Sequence, residues 1–130
     1  MRVSSLAAVE AFYERLAARL GLTRKTYSVV DENGDWHPGS PERYNVVEFT
    51  EADVHGRLAG FFGVIEEADA QPARSRIAFA VAEGELDEWQ RALHEIGARD
   101  VERSEDDGYP AVFFCDPLGT RLEVVARRVR

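Results

Sequence analysis

The chain has little of several features that identify common classes of protein. Its 130 residues include a single cysteine, Cys115, which excludes a disulfide framework and a thiolate metal cluster. No apolar run reaches the length of a membrane helix, and the first five residues lack the apolar segment of a secretory signal. These absences predict a cytoplasmic protein that does not contact a membrane.

Clustered positive charge is also missing. The chain carries 16 Lys and Arg against 24 Asp and Glu, a formal net charge of −8. Such a surface repels phosphate backbones, so nucleic acid and anionic membranes are not expected partners. The sequence has no Walker loop, no dinucleotide fingerprint and no Gly-x-Ser-x-Gly elbow, and no cofactor is predicted.

What the chain does contain is an internal repeat. Each half has a β-rich run, an amphipathic helix that ends at a glycine (Gly21 or Gly97), and three strand-like runs. The strand-like runs are at 26–30, 44–49, 57–65, 101–104, 111–115 and 121–126. The pattern is βαβββ twice, which predicts a single α+β domain over residues 1–130. Its first module covers about 1–66, the linker 67–75 and the second module about 76–130.

The stretch from Phe114 to Val125 reads as strand, tight turn and strand. Pro117 suits the second position of the turn and Gly119 closes it. Alternation then places Arg121, Glu123 and Val125 on one side of the last strand, and Leu122, Val124 and Ala126 on the other. The carboxylate of Glu123 is therefore predicted to lie on the wall of a cleft.

With these features the chain resembles the vicinal oxygen chelate superfamily, which includes glyoxalases, bleomycin resistance proteins and extradiol dioxygenases. The resemblance spans nearly the whole chain and is most specific at 76–81, at 93–98 and in the Asp-Pro-x-Gly-x-x-x-Glu stretch that ends at Glu123. It implies two βαβββ modules that form an incomplete barrel around a cleft, and a homodimer.

The resemblance also implies where a metal would be bound. Members that are enzymes commonly use His, Glu or Gln, His and Glu on the first and fourth strands of each module. Glu123 matches the last of these, whereas Arg76 stands in the place of the second His. Aligning the turn at 53–58 with Asp116–Leu122 puts Ala59 or Gly60 at the fourth strand of the first module, and the first His would fall before Met1.

Glu123 alone does not make a metal site, and the permanent charge of Arg76 repels a divalent cation. The sequence therefore predicts a metal-free protein that binds a small organic molecule, of the kind that sequesters an antibiotic or a metabolite. Two alternatives stay open. One is a metal-dependent glyoxalase-like lyase, isomerase or dioxygenase whose ligands are misplaced or lie upstream of Met1; the other is a regulatory or structural module with an empty cleft.

Five residues are predicted to bind the ligand, and none is predicted to be catalytic. Arg76 and Glu123 form either a structural ion pair across the cleft or a pair of polar anchors for the ligand. Phe61, rather than its neighbour Phe62, is expected on the wall of the cleft. Trp36 and His37 lie in a predicted loop rich in proline and glycine, which could fold over the mouth of the cleft as a lid.

Overall fold

The computed structural model describes residues 1–52, 55–57, 59–106 and 108–126. These residues form two compact units, 1–71 and 72–130. The first unit contains β1 (Arg2–Val3), α1 (Leu6–Arg19), β2 (Arg24–Val30), β3 (Trp36–Pro38), β4 (Val46–Thr50) and β5 (Phe61–Glu66). The second contains β6 (Ile77–Ala80), a 3₁₀ turn (Glu83–Glu85), α2 (Leu86–Glu95), β7 (Arg99–Ser104), β8 (Ala111–Cys115) and β9 (Arg121–Val125).

Both helices form where the apolar period predicts them. The Ser5 side chain caps α1 by accepting a hydrogen bond from the Ala8 N–H, and Gly21 follows the helix at φ +80°. Gly97 follows α2 at φ +93°. Each helix buries one apolar stripe, and the buried residues are Leu6, Val9, Phe12, Tyr13, Leu16 and Ala17 in α1, and Leu86, Trp89, Ala92 and Leu93 in α2.

The predicted repeat is confirmed by the strand order. The first sheet runs β1-β5-β4-β2-β3 and the second runs β6-β9-β8-β7. In each unit the strand before the helix pairs in parallel with the last strand, and the remaining pairs are antiparallel. The fold class is therefore α+β, with the βαβββ arrangement present twice.

The first unit has one strand more than the predicted pattern. The segment that contains Trp36 and His37 was predicted to be a loop, but it forms β3, which pairs with β2 at the edge of the first sheet. Gly34, at φ +84°, allows the tight turn that reverses the chain between these two strands. Pro38 suggested a loop, yet at the end of an edge strand its missing N–H costs no hydrogen bond of the sheet.

Each sheet buries the face that packs on its own helix. In the first unit Val47, Phe49 and Val64 are buried on that face, and in the second unit Val112, Phe114, Leu122 and Val124 are buried in the same way. The opposite face of each sheet is here called its open face. No helix in the described part of the chain is long and apolar enough to cross a membrane.

Candidate functional site

The open face of the second sheet carries the predicted carboxylate. Leu122 and Val124 of β9 are buried towards α2, so Glu123 between them lies on the open face, as predicted. The pairing then defines the rest of this face: Ala78 is paired with Glu123, Phe113 with Glu123, and Glu102 with Phe113. Its residues are Arg76, Ala78, Ala80, Glu102, Ser104, Ala111, Phe113, Cys115, Arg121, Glu123 and Val125.

Arg76 and Glu123 flank one aromatic ring on this face. The guanidinium carbon of Arg76 lies 4.3 Å from the centre of the Phe113 ring, a cation–π arrangement. Glu123 lies directly across from Phe113 in the antiparallel pair of β8 and β9. The three side chains thus put a positive charge, an apolar ring and a negative charge next to one another.

The ion pair expected between Arg76 and Glu123 is not formed. Among the described residues, no nitrogen of Arg76 lies within 4.0 Å of a carboxylate oxygen. The reason is the reach of the arginine side chain, which holds its guanidinium over the ring on β8 instead of against the nearer strand β9. The structural ion pair, one of the two hypotheses for these residues, is therefore wrong, and their role as polar anchors for a ligand stays a prediction.

Two depressions lie against this face. The larger, about 370 Å³, is lined by Ser104, Asp106, Tyr109, Ala111, Phe113, Glu123 and Val125. The smaller, about 240 Å³, is lined by Arg76, Asp100, Glu102, Phe114, Cys115 and Arg121. The first is an apolar surface with carboxylates at its border, and the second holds both arginines of the face. Burial raises the pKa of the Cys115 thiol, so this sulfur is not an activated nucleophile.

A tight turn fixes the start of β9 and with it the position of Glu123. The buried carboxylate of Asp116 accepts hydrogen bonds from the N–H groups of Leu118 at 2.8 Å and Thr120 at 2.9 Å. Gly119 occupies the left-handed region at φ +91°, as expected for the residue that closes the turn. The turn starts β9 at Arg121, which puts every second residue of the strand, Glu123 included, on the open face.

Phe61 and Phe62 point to opposite faces of the first sheet, as alternation along a strand predicts. Phe62 packs on the helix side, with its ring 5.3 Å from that of Phe49 and 6.0 Å from that of Tyr13. Phe61 is on the open face of the first sheet and is 66% exposed. The predicted orientation of these two rings is therefore confirmed, while a role of Phe61 in ligand binding stays a prediction.

Trp36 and His37 do not act as a pair, because consecutive residues of β3 point to opposite faces of the sheet. Trp36 is 54% exposed and lines a depression of about 340 Å³ at one end of the strands of the first sheet. His37 Nε2 lies 2.7 Å from Oδ2 of Asp31, and this contact lowers the pKa of that carboxyl. The predicted loop is wrong, because this segment is a strand held in a sheet. The role of the two residues at a ligand site stays a prediction.

The residues present do not fit the metal site that the resemblance implies. The paired strands show that the counterpart of Glu123 in the first unit is Gly63, since Glu48 pairs with Gly63 as Phe113 pairs with Glu123. This corrects the alignment to Ala59 or Gly60. Glycine offers no ligand, and no three His, Cys, Asp or Glu side chains within residues 1–52, 55–57, 59–106 and 108–126 come together as metal ligands.

Sequence reasoning missed two residues of the candidate site, Phe113 and Tyr109. Phe113 could have been found from alternation, because Val112 and Phe114 are the buried members of β8 and the residue between them must face the other way. Tyr109, 57% exposed beside the larger depression, follows the turn signal at Asp107-Gly108 and carries no pattern that points to the sheet. Of that signal, Asp107 lies outside the described residues.

Several solved structures are similar in fold to this chain. No protein-family model and no curated protein matches the sequence. A glyoxalase/bleomycin resistance protein from Albidiferax ferrireducens T118 is similar in structure, with a TM-score of 0.66, 21% identity and coverage of 98% of this chain and 94% of that one. The fosfomycin resistance protein FosX from Listeria monocytogenes gives a TM-score of 0.61 at 16% identity, covering 99% and 89%.

The integron cassette protein HFX_CASS4, from the mobile metagenome of the Halifax Harbour sewage outfall, gives 0.59 at 21% identity, covering 97% and 92%. At these identities the likeness concerns the fold. This chain has the fold of glyoxalase/bleomycin resistance proteins.

Proposed function

We propose that this protein binds a small organic molecule on the open face of its second sheet, and that it does so without a metal. The observation that carries the proposal is the grouping of Arg76, Phe113 and Glu123. They form an aromatic surface bordered by two opposite charges that do not neutralise each other. Small-molecule sites typically combine an apolar wall with a few polar groups in this way.

The size and polarity of the larger depression support the proposal. Its volume of about 370 Å³ lies within the range of ordinary ligand sites, roughly 300–1,000 Å³. Phe113 and Val125 provide apolar surface, and Tyr109 provides an exposed ring at its border. A ligand that covers these groups gains apolar burial, while Glu123 and Arg76 fix its orientation.

The metal-free part of the proposal rests on Arg76 and Gly63. Arg76, immediately before β6, puts a permanent positive charge on the same open face as Glu123, and Gly63 removes the corresponding ligand from the first unit. FosX from Listeria monocytogenes has been solved in complex with Mn(II) and sulfate. We expect this chain, incubated with Mn, Ni, Zn and Fe and then desalted, to retain no stoichiometric metal. Tight uptake of one ion per chain would contradict this part.

Phe61, Trp36 and His37 of the first unit stay predicted ligand contacts. Phe61 and Trp36 are exposed aromatic residues on the open face of their own sheet, whereas His37 faces the other side. A homodimer is also part of the proposal, and sedimentation equilibrium tests it. We expect a mass close to twice that of the 14.6 kDa chain.

A thermal-shift screen against amphipathic drugs and metabolites tests the binding itself, because a ligand that prefers the native state raises its apparent stability. Each compound that raises the Tm is then titrated by calorimetry against the native protein, Phe113→Ala and Arg91→Ala. Arg91 is an exposed arginine of α2 and serves as the control. We expect Phe113→Ala to weaken binding at least tenfold and Arg91→Ala to leave it unchanged. A library without any stabilising compound would contradict the proposal.

A further inference from the structure

We infer that the ligand is an aromatic zwitterion, which carries an anionic group bound by Arg76 and a protonated amine bound by Glu123. This inference rests on the proposed function and adds the chemical class of the ligand. Its basis is that two opposite charges border one aromatic ring, on one face of one sheet, without forming an ion pair.

Arg76 remains available to an anion although its guanidinium is stacked. The cation–π contact with Phe113 takes up none of the five N–H donors of the guanidinium, and within the described residues they donate to no acceptor. Asp100 and Glu102 line the same depression, yet neither lies within 4.0 Å of an Arg76 nitrogen. Arg121 adds a second positive charge there, and it donates to the Arg74 carbonyl at 3.2 Å. The arginine end of the face is therefore suited to a carboxylate.

Glu123 is similarly available to a cation. Its neighbours on the adjacent strands are Ala78 and Phe113, which offer it no side-chain donor. Within the described residues, its carboxylate accepts no hydrogen bond and forms no ion pair. The other carboxylate at this depression, Asp106, already accepts N–H bonds from Gly108 at 3.0 Å and Tyr109 at 3.3 Å. Glu123 is thus the acid whose charge a ligand amine would satisfy.

The spacing favours one ligand that meets both charges. Ala78 of the neighbouring strand is paired with Glu123, so Arg76 lies two residues away along that strand, and its guanidinium reaches the Phe113 ring directly across from Glu123. The amine and the carboxylate of an α-amino acid are attached to one carbon, so a single head group can form a charge-assisted hydrogen bond with each of two charges that border one ring. The aromatic part of such a ligand then lies in the larger depression, against Tyr109 and the part of Phe113 that lines it, where ring–ring contact adds to apolar burial.

Titration calorimetry with phenylalanine and two of its derivatives tests this inference. L-phenylalanine carries both charges, L-phenylalaninamide only the positive one and N-acetyl-L-phenylalanine only the negative one. We expect L-phenylalanine to bind at least tenfold more tightly than either single-charge probe. Arg76→Gln should reduce its affinity to that of the amide without changing binding of the amide itself. Glu123→Gln should reduce it to that of the N-acetyl compound.

Arg91→Gln and Glu95→Gln, two exposed positions of α2, are the matched controls and should leave all three affinities unchanged. Arg76→Lys keeps the charge and should retain part of the affinity that Arg76→Gln loses. A single-charge probe that binds as tightly as L-phenylalanine overturns the inference, and so does the absence of L-phenylalanine binding. If other compounds then bind in a Phe113-dependent manner, the proposed function stands alone; if no compound binds, both fail.

Discussion

The two units share the order of the strands they have in common, and one difference between their open faces bears on the site. In the second unit Phe113 of β8 is paired with Glu123 of β9; in the first unit Glu48 of β4 is paired with Gly63 of β5. A Cβ on Gly63 would lie 3.4 Å from Cγ of Glu48, so the Glu48 side chain extends over the glycine. Both units therefore have the same strand pairing at this point, but the pair of an aromatic ring and a carboxylate is found in the second unit.

The connections that lead into the last strands differ in a related way. Glu51 follows β4 as Asp116 follows β8, and each accepts a hydrogen bond from the N–H of the residue before the last strand. Asp116 is buried and closes a turn of five residues, 116–120. Glu51 is held by Arg57 at 2.7 and 2.9 Å and closes ten residues, 51–60. One role is therefore performed by a buried carboxylate in one unit and by an accessible ion pair in the other.

The largest effect on stability is expected for the two phenylalanines of β8, which lie on opposite faces of the sheet. Phe114→Ala removes a ring that is 2% exposed and should lower the free energy of unfolding by about 3–5 kcal/mol. Phe113→Ala removes the ring on the open face and should cost only about 1 kcal/mol, because that ring is already partly solvated. Urea unfolding of both variants measures the difference. Equal losses would contradict the assignment of the two faces.

The next effect concerns the two acidic residues that precede the last strands. Asp116→Ala leaves the N–H groups of Leu118 and Thr120 without their acceptor and should cost about 2 kcal/mol. Glu51→Ala should cost less, because its partner Arg57 is 62% exposed and water replaces the contact. Guanidinium unfolding of the two variants ranks them. A larger loss for Glu51→Ala would refute the comparison.

The accessible ion pair should also respond to pH. Bonding to Arg57 lowers the pKa of Glu51 from 4.5 to about 2. Since this pKa is lower in the folded state, the stabilisation is complete above about pH 4.5 and is lost as the pH falls towards 2. The difference in Tm between the native protein and Glu51→Gln should therefore shrink over that range. A difference that stays constant from pH 6 to pH 2 would show that the ion pair contributes nothing.

The smallest effect is expected at Gly63. Alanine is better than glycine inside a strand, and its Cβ would meet only the flexible Glu48 side chain at 3.4 Å and the Val47 carbonyl at 3.7 Å. Gly63→Ala should therefore raise the free energy of unfolding by about 0.5 kcal/mol. Thermal unfolding measures it against the native protein. A lower free energy of unfolding would mean that the sheet has no room for a side chain at position 63.

Much of the fold follows from sequence periodicity, and the site follows from it only in part. Alternation alone places Glu123 and Phe61 on open faces, because one residue determines the side of its neighbours along a strand. The position of Gly63 could not be obtained in this way. The connection before β5 has ten residues and that before β9 has five, so an alignment of the turn glycines Gly56 and Gly119 loses the register of the strands.

The ion pair between Arg76 and Glu123 was predicted for a different reason. Sequence spacing places both residues on one face, but it does not say how far a long side chain reaches. The guanidinium extends to Phe113 on β8, and the cation–π contact takes the place of the ion pair. Rotamer choice among several partners depends on the assembled sheet rather than on the order of residues.

The central claim is that ligands bind on the open face that holds Arg76, Phe113 and Glu123. Backbone amide chemical shifts, recorded while the best-binding compound of the thermal screen is titrated, test it most directly. We predict that the largest changes occur in 76–80, 111–115 and 121–125. Changes confined to the first unit, at 24–66, would contradict the account.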